Sequence, residues 1–170
     1  MSLENTTDSI VNYDTFEDLG LKDTLLRGIY TMGFEKPSVI QQKAIKPFME
    51  GKDLIAQAQS GTGKTATFGI SILQCIDESL KETQAVIVSH TRELSNQIYN
   101  VLSNLSSYMD VSLYQVTGGT SVNRMMDELQ KRPQIIIGTP GRILDMMNKK
   151  AIDVSTIKYK SSGFSLYSDA

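Results

Sequence analysis

The residues best suited to chemistry lie between Asp53 and Thr65, where the chain reads D-L-I-A-Q-A-Q-S-G-T-G-K-T. A short apolar run, Leu54-Ile55-Ala56, has the length of a buried strand, and it passes through two glycines into Lys64 and Thr65, where a helical pattern begins. Strand, glycine turn and helix in that order are the grammar of a phosphate-binding loop. Gly61 and Gly63 accept backbone conformations that a Cβ forbids. Successive N–H groups can then turn toward phosphate oxygens, helped by the positive end of the following helix. Lys64 would reach the outer phosphates, and Thr65 would offer its hydroxyl to Mg2+. Ala58 stands where such loops usually carry their first glycine, and a small residue there keeps most of the logic. The alternative is a glycine turn between a strand and a helix with an incidental lysine.

The elements that must position this loop are those of a single domain. A chain of 170 residues can bury a sizeable core, and two domains would be crowded. With 40% hydrophobic and 21% charged residues the composition is ordinary, and no apolar run approaches a membrane span. No secretory signal opens the chain, and the one cysteine, Cys75, excludes a disulfide framework, so the expected setting is reducing and intracellular, cytoplasmic or nuclear. His90 is the only histidine, which leaves a histidine-based metal site or triad without a second member. The net charge of −2 argues against indiscriminate polyanion binding by the whole surface. Its distribution is uneven: residues 1–20 carry acids and no lysine or arginine. Residues 124–150 carry Arg124, Lys131, Arg132, Arg142, Lys149 and Lys150 against Asp127, Glu128 and Asp145. The former reads as a solvated tail, the latter as weak evidence for a phosphate-facing surface.

Taken in order, residues 1–14 read as a flexible acidic leader, and Phe16 is the first large anchor. Leu25, Leu26, Ile29 and Met32 fall at helical spacing up to Gly33; Pro37 and Ser38 open a second helix with Ile40, Ala44, Ile45, Phe48 and Met49 on its apolar face. Strand then alternates with helix. A helix from the loop runs to about Glu78, and strands are predicted at 85–88, 111–116 and 134–137. Each is followed by a helix, at about 92–108, 121–130 and 140–149. This order predicts an α/β fold with a parallel sheet covered by helices on both faces and its functional loops at the carboxyl ends of the strands.

Two of those strand ends carry similar residues: Thr91-Arg92-Glu93-Leu94 after the strand at 85–88, and Thr139-Pro140-Gly141-Arg142 after the strand at 134–137. Each offers a threonine, an arginine and a helix amino terminus, and with Gly118-Gly119 they could track a nucleic-acid backbone along one rim. Singly, each also serves as a plain helix cap.

Phe16, the stretch Gly33 to Gln41, the loop Ala58 to Thr65, Thr91 to Leu94, Gly118-Gly119 and Thr139 to Arg142 stand in the order and spacing of DEAD-box RNA helicases, and from Phe16 to Ile157 the chain resembles the amino-terminal RecA-like domain of that family. The wording at 25–30 and 56–68 is similar to the translation initiation factor 4A branch. The resemblance implies ATP and Mg2+ as cofactors, with Phe16, Phe34, Gln41, Ala58, Gln59, Ser60, Gly61, Thr62, Gly63, Lys64 and Thr65 at the nucleotide. Gln41 would read adenine through its amide. Phe34 would stack on the base with Phe16 supporting it, and Lys64 and Thr65 would act on the phosphates and metal. The structural alternatives are that Phe34 is core and Gln41 a polar residue on a helix face. Thr91, Arg92, Gly119, Thr139, Gly141 and Arg142 would contact RNA phosphates and sugars with little sequence preference. Translation, splicing or ribosome-assembly factors would be the protein partners.

The departures carry expectations of their own. Ser89-His90 replaces the family's Ala-Pro, which predicts a looser turn. After Ile157 the family continues with a strand ending in Asp-Glu-Ala-Asp, whereas residues 158–170 read as an atypical tail. The sequence therefore predicts a RecA-like domain at 15–157, incomplete at its carboxyl end. It is expected to bind ATP and RNA without hydrolysis, as part of a helicase or as a regulatory, dominant-negative short form. It also predicts an open flank beside Leu54 to Ala56 and an aggregation-prone fold.

Overall fold

Ile135, Ile136 and Ile137 are each completely buried, and an extended chain sends alternate side chains to opposite faces, so the strand they form must be covered on both sides. The computed structural model of the protein describes residues 13–55, 61, 63–162 and 165–168, and in it this strand is central. It is β4 (Ile135–Gly138), parallel to β2 (Ala85–Val88) on one side and to β3 (Leu113–Val116) on the other. Ile135 and Ile137 join Ala85 and Ile87 in one core, and Ile136 joins Val86 and Val116 in a second. The first is covered by α1 (Asp23–Thr31), α2 (Val39–Met49), α3 (Lys64–Cys75) and α4 (Arg92–Leu105), the second by α5 (Val122–Gln130) and α6 (Pro140–Asn148). The predicted α/β class, with helices on both faces, is the observed one, and the predicted strands and helices are present with ends shifted by a few residues. Most of the leader, residues 1–12, and Ala56 at the end of the first strand lie outside the described residues. No described helix is long and apolar enough to cross a membrane.

The open flank beside the phosphate-loop strand is a correction. Tyr159–Ser162 forms β5, parallel to β2, and Ser165–Ser168 forms β6, antiparallel to both β5 and β1 (Leu54–Ile55). The sheet order is β1-β6-β5-β2-β4-β3. Residues read as a tail thus occupy the place beside β1, and Leu54 stands opposite Leu166. The signal was period two rather than apolarity: Tyr159 is half-buried against Phe48, with ring centroids 5.8 Å apart, Lys160 is exposed, and Ser161 is buried. Burial also pushes the Cys75 thiol up to about 11, against weaker pulls from Lys22 and from a hydrogen bond with Tyr159, so Cys75 is a neutral packing residue. One apolar residue of the expected exposed surface remains, since Ile55 is 81% accessible.

Close approach of α1 to α4 depends on Gly28. A Cβ there would lie 1.9 Å from the backbone carbonyl oxygen of Leu105, which no side-chain rotation can relieve. Gly28→Ala should therefore separate the two helices and cost about 1–3 kcal/mol, the usual range for overpacking. A Cβ at Gly118 meets nothing within 4 Å. Thermal melts followed by circular dichroism should show a clearly lower midpoint for Gly28→Ala and an unchanged one for Gly118→Ala.

Candidate functional site

Helix α3 starts at Lys64 because Gly63 takes a left-handed conformation, φ +85°, and reverses the chain immediately before it; Gly61 is left-handed too, φ +84°. The first turn is then tied down from within: Thr67 donates its hydroxyl to the Gly63 carbonyl at 2.9 Å, and Ser71 donates to the Thr67 carbonyl at 2.8 Å. Every residue from Ala66 to Leu73 is buried, so the helix is held on all sides and its amino terminus has a fixed direction. Lys64 and Thr65 are half-buried there. Ala58, Gln59, Ser60 and Thr62 lie outside the described residues.

Gln41 reaches this turn from α2. Ser38 and Gln41 form the capping box of that helix, Gln41 Oε1 accepting the Ser38 backbone N–H at 2.8 Å. The side chain is 1% accessible, and its Nε2 would stand 3.0 Å from a Cβ built on Gly63. Gln41 therefore couples the start of α2 to the start of α3, with one half of its amide already engaged. Phe34 is half-buried at the edge of the core, after the left-handed Gly33. Phe16 is different. It is wholly buried and packs edge-on against Tyr30, with centroids 6.2 Å apart, so it can brace the region from inside but cannot touch a bound molecule. On the exposed side of that pair the Tyr30 hydroxyl donates to Glu17 at 2.5 Å, which pushes the phenol up to about 12.

The other predicted residues lie on the carboxyl rim of the sheet. Thr91 caps α4, its hydroxyl accepting the Leu94 N–H at 3.1 Å. Arg92 reaches across the end of β4 to the turn after β3, where a Cβ on Gly119 would come within 2.9 Å of its Nη1. Thr139 precedes α6 and its N–H donates to the Val116 carbonyl at 3.2 Å, while Gly141 is exposed in the first turn. Arg142 sits 3.5 Å from Asp145, which is also shared with Lys149, so its guanidinium is partly committed within its own helix. Thr91, Arg92, Gly119, Thr139, Gly141 and Arg142 thus fall on three adjacent loops of one edge, and Arg92 with Gly119 is the pair brought into direct proximity.

The looser turn expected from Ser89-His90 meets an opposing feature. Ser89 is buried, its N–H donates to the Gly138 carbonyl at 2.9 Å, and its hydroxyl shares a hydrogen bond with the buried Ser95. That anchor supplies part of the stiffness a proline would provide, and His90 alone projects outward. Two residues escaped the sequence reading. Ser95 was legible only as a helix residue. Ser161, assigned to the tail, enters the sheet opposite Ile87 and lines a cavity of about 100 Å³ that also borders Lys64, Thr65, Ser89 and His90. Among the described residues no three His, Cys, Asp or Glu side chains gather as a metal cluster.

Comparison with known proteins gives one family: the DEAD/DEAH box helicase model matches residues 38–160. Among solved structures, a DEAD box protein from Methanococcus jannaschii is 35% identical with a TM-score of 0.83, over 89% of this chain and 42% of that one. Saccharomyces cerevisiae Dbp5 bound to RNA and ADP BeF3 is 32% identical with a TM-score of 0.79, over 88% of this chain and 38% of that one. A Dbp5 variant bound to Nup159, Gle1, IP6 and ADP is 34% identical with a TM-score of 0.76, over 84% and 38%. The chain spans about two fifths of the length of these proteins.

Because Gln41 completes a capping box, its removal should be felt without any ligand. Gln41→Ala is expected to cost about 1 kcal/mol or more, combining a lost cap with a small buried void. Urea unfolding of the ligand-free protein should show the lower midpoint, and Thr91→Ala should lose about 1 kcal/mol through its own cap.

Proposed function

The chain belongs to the DEAD/DEAH box helicase family, and on that premise we propose that it binds an adenine nucleotide at the turn ending in Gly63-Lys64-Thr65 and an RNA backbone along the carboxyl rim of its sheet, without rapid turnover of the nucleotide by itself. The observation that carries the nucleotide reading is the packing of Gln41 against Gly63: a cradle that a Cβ would crowd stands beside a buried amide and opens onto a helix amino terminus. In this reading Lys64 neutralises the outer phosphates, Gln41 Nε2 faces the base or the loop, Phe34 stacks, and Phe16 braces them from the core. Mg2+ would be held by the Thr65 hydroxyl together with the phosphates, where it supplies charge neutralisation.

The RNA reading rests on the rim. Arg92 beside Gly119 leaves a turn low enough for a sugar–phosphate backbone to lie against it, and Thr91, Thr139, Gly141 and Arg142 continue that line. Dbp5, a similar protein, has been solved with RNA and with Gle1. The wording at 25–30 and 56–68 supports the translation initiation factor 4A branch, with translation factors as partners before splicing or ribosome-assembly factors. Unwinding, in this reading, is a property of a protein with the length of the matched relatives.

Slow turnover rests on Ser161. Hydrolysis in such sites uses a carboxylate to hold the metal and orient water, and the residue that β5 brings to the cavity bordering Lys64 and Thr65 is a neutral serine. A chain of this kind would act by occupying nucleotide and RNA, as a regulatory module.

Titration with a fluorescent ATP analogue should show saturable binding that Lys64→Ala abolishes. Steady-state phosphate release should stay at background with or without RNA, and a rate that disappears in Lys64→Ala would refute the non-catalytic reading. Arg92→Ala should weaken binding of an oligouridylate uniformly across sequences and reduce its salt slope by about one.

A further inference from the structure

At the opposite end of the sheet lies a groove that the nucleotide and RNA readings do not use. It encloses about 590 Å³ at the amino ends of β2, β4 and β5, where Thr83, Arg132 and Thr156 lead into those strands. Its floor is apolar, with Leu129 and Ile152 buried and Met126 and Met147 half-buried, and its rim carries Arg132, Lys149 and Lys150. The volume is that of a ligand pocket.

Two of the three cations that line it, Arg132 and Lys150, occupy unusual backbone. Helix α5 ends at Gln130 and α6 at Asn148, and the residue two beyond each end is left-handed: Arg132 at φ +54° and Lys150 at φ +56°. This is the position where a helix stop normally uses glycine, because a Cβ is strained there. At the end of α6 the stop is fully formed, with the Lys150 N–H donating to the Met147 carbonyl and the Ala151 N–H to the Met146 carbonyl, each at 2.9 Å. Attraction to the negative helix ends does not account for the choice, since Lys131 and Lys149 already stand one residue earlier on each helix. Lys131 pairs with Glu128 and Lys149 with Asp145. Among the described residues neither Arg132 nor Lys150 forms an ion pair. Both strained cations face the same groove.

We propose that this groove docks an acidic segment of a partner protein, in which an apolar side chain enters between Met126 and Met147 while flanking carboxylates meet Arg132 and Lys150. Charge and chemistry favour a peptide over nucleic acid. Among the described residues no aromatic side chain lines the groove to stack a base, and the carboxylates of Glu82 and Asp153 on its wall oppose a continuous polyanion yet leave room for discrete acids. Lying at the amino ends of the strands, a partner here leaves the carboxyl rim uncovered, so docking and nucleotide binding can coexist.

The test uses a fluorescein-labelled peptide, Ser-Asp-Glu-Leu-Asp-Glu-Phe-Glu-Ser, in anisotropy titrations against the whole chain. Saturable binding is expected, weakened about tenfold or more in the Arg132→Gly, Lys150→Gly double variant. That variant relieves left-handed strain, so its melting temperature should be unchanged or higher, which separates lost binding from lost folding. The Arg132→Gln, Lys150→Gln variant, which keeps side-chain length without charge, should lose binding equally. Replacing the peptide's Leu and Phe by Ser should abolish the signal. Absence of saturable binding, or binding by both double variants as tight as by the unsubstituted chain, would overturn the proposal. So would decauridylate binding lost in the same variants, which would assign the groove to nucleic acid instead. Loss of ATP-analogue binding in Lys64→Ala should leave peptide binding intact, so the two readings fail independently.

Discussion

Burial of Ile135, Ile136 and Ile137 on both faces of one strand is the constraint from which the rest of the molecule follows. A strand with no polar face cannot tolerate solvent on either side, so it must have strand neighbours on both edges and helices above and below. Parallel pairing among β2, β3 and β4 then obliges the connections between them to cross the sheet as helices, and it directs their carboxyl ends the same way. The loops carrying Ser89 to Arg92, Thr117 to Gly119 and Gly138 to Arg142 are gathered on one rim for that reason, although up to fifty residues of sequence separate them.

On that rim, precision comes from small contacts rather than from extensive burial. Gln41 ties the capping of α2 to the turn before α3, and Ser89 ties the end of β2 to both Gly138 and Ser95. Each tie closes a hydrogen-bonding group that would otherwise be buried and unsatisfied, and no buried side-chain nitrogen or oxygen among the described residues lacks a partner. The site is therefore held by polar connections between elements whose positions the two apolar cores have already decided. The opposite rim uses a different device, placing cations on strained helix stops.

The glycine turn and helix start from Gly61 to Thr65, on which the proposed phosphate site rests, were legible in the sequence because the signal is local: two left-handed glycines, a lysine and a threonine at a helix start need only adjacent residues. The same holds for Thr91 as a cap and for the two-sided burial of β4. A contact of Gln41 with adenine is an expectation from family resemblance alone, whereas its engagement with Ser38 and its approach to Gly63 come from packing. Phe16 was read near the nucleotide and is wholly interior. The strands β5 and β6 were missed because Lys160, Ser161 and Ser162 lack the apolar run that identifies a buried strand; their pairing is supplied by β2 and β1, neighbours distant in sequence.

What the amino-acid order determined by itself was the set of elements, their alternation, and the local chemistry at their ends, since periodicity, caps and glycine turns act over a few residues. What only the tertiary structure decided was adjacency: Arg92 over Gly119, Ser161 beside the cavity at Lys64, and Arg132 with Lys150 across one groove. These pairs join separate loops through the sheet, and their proximity depends on strand order and helix packing, which sequence spacing alone does not encode.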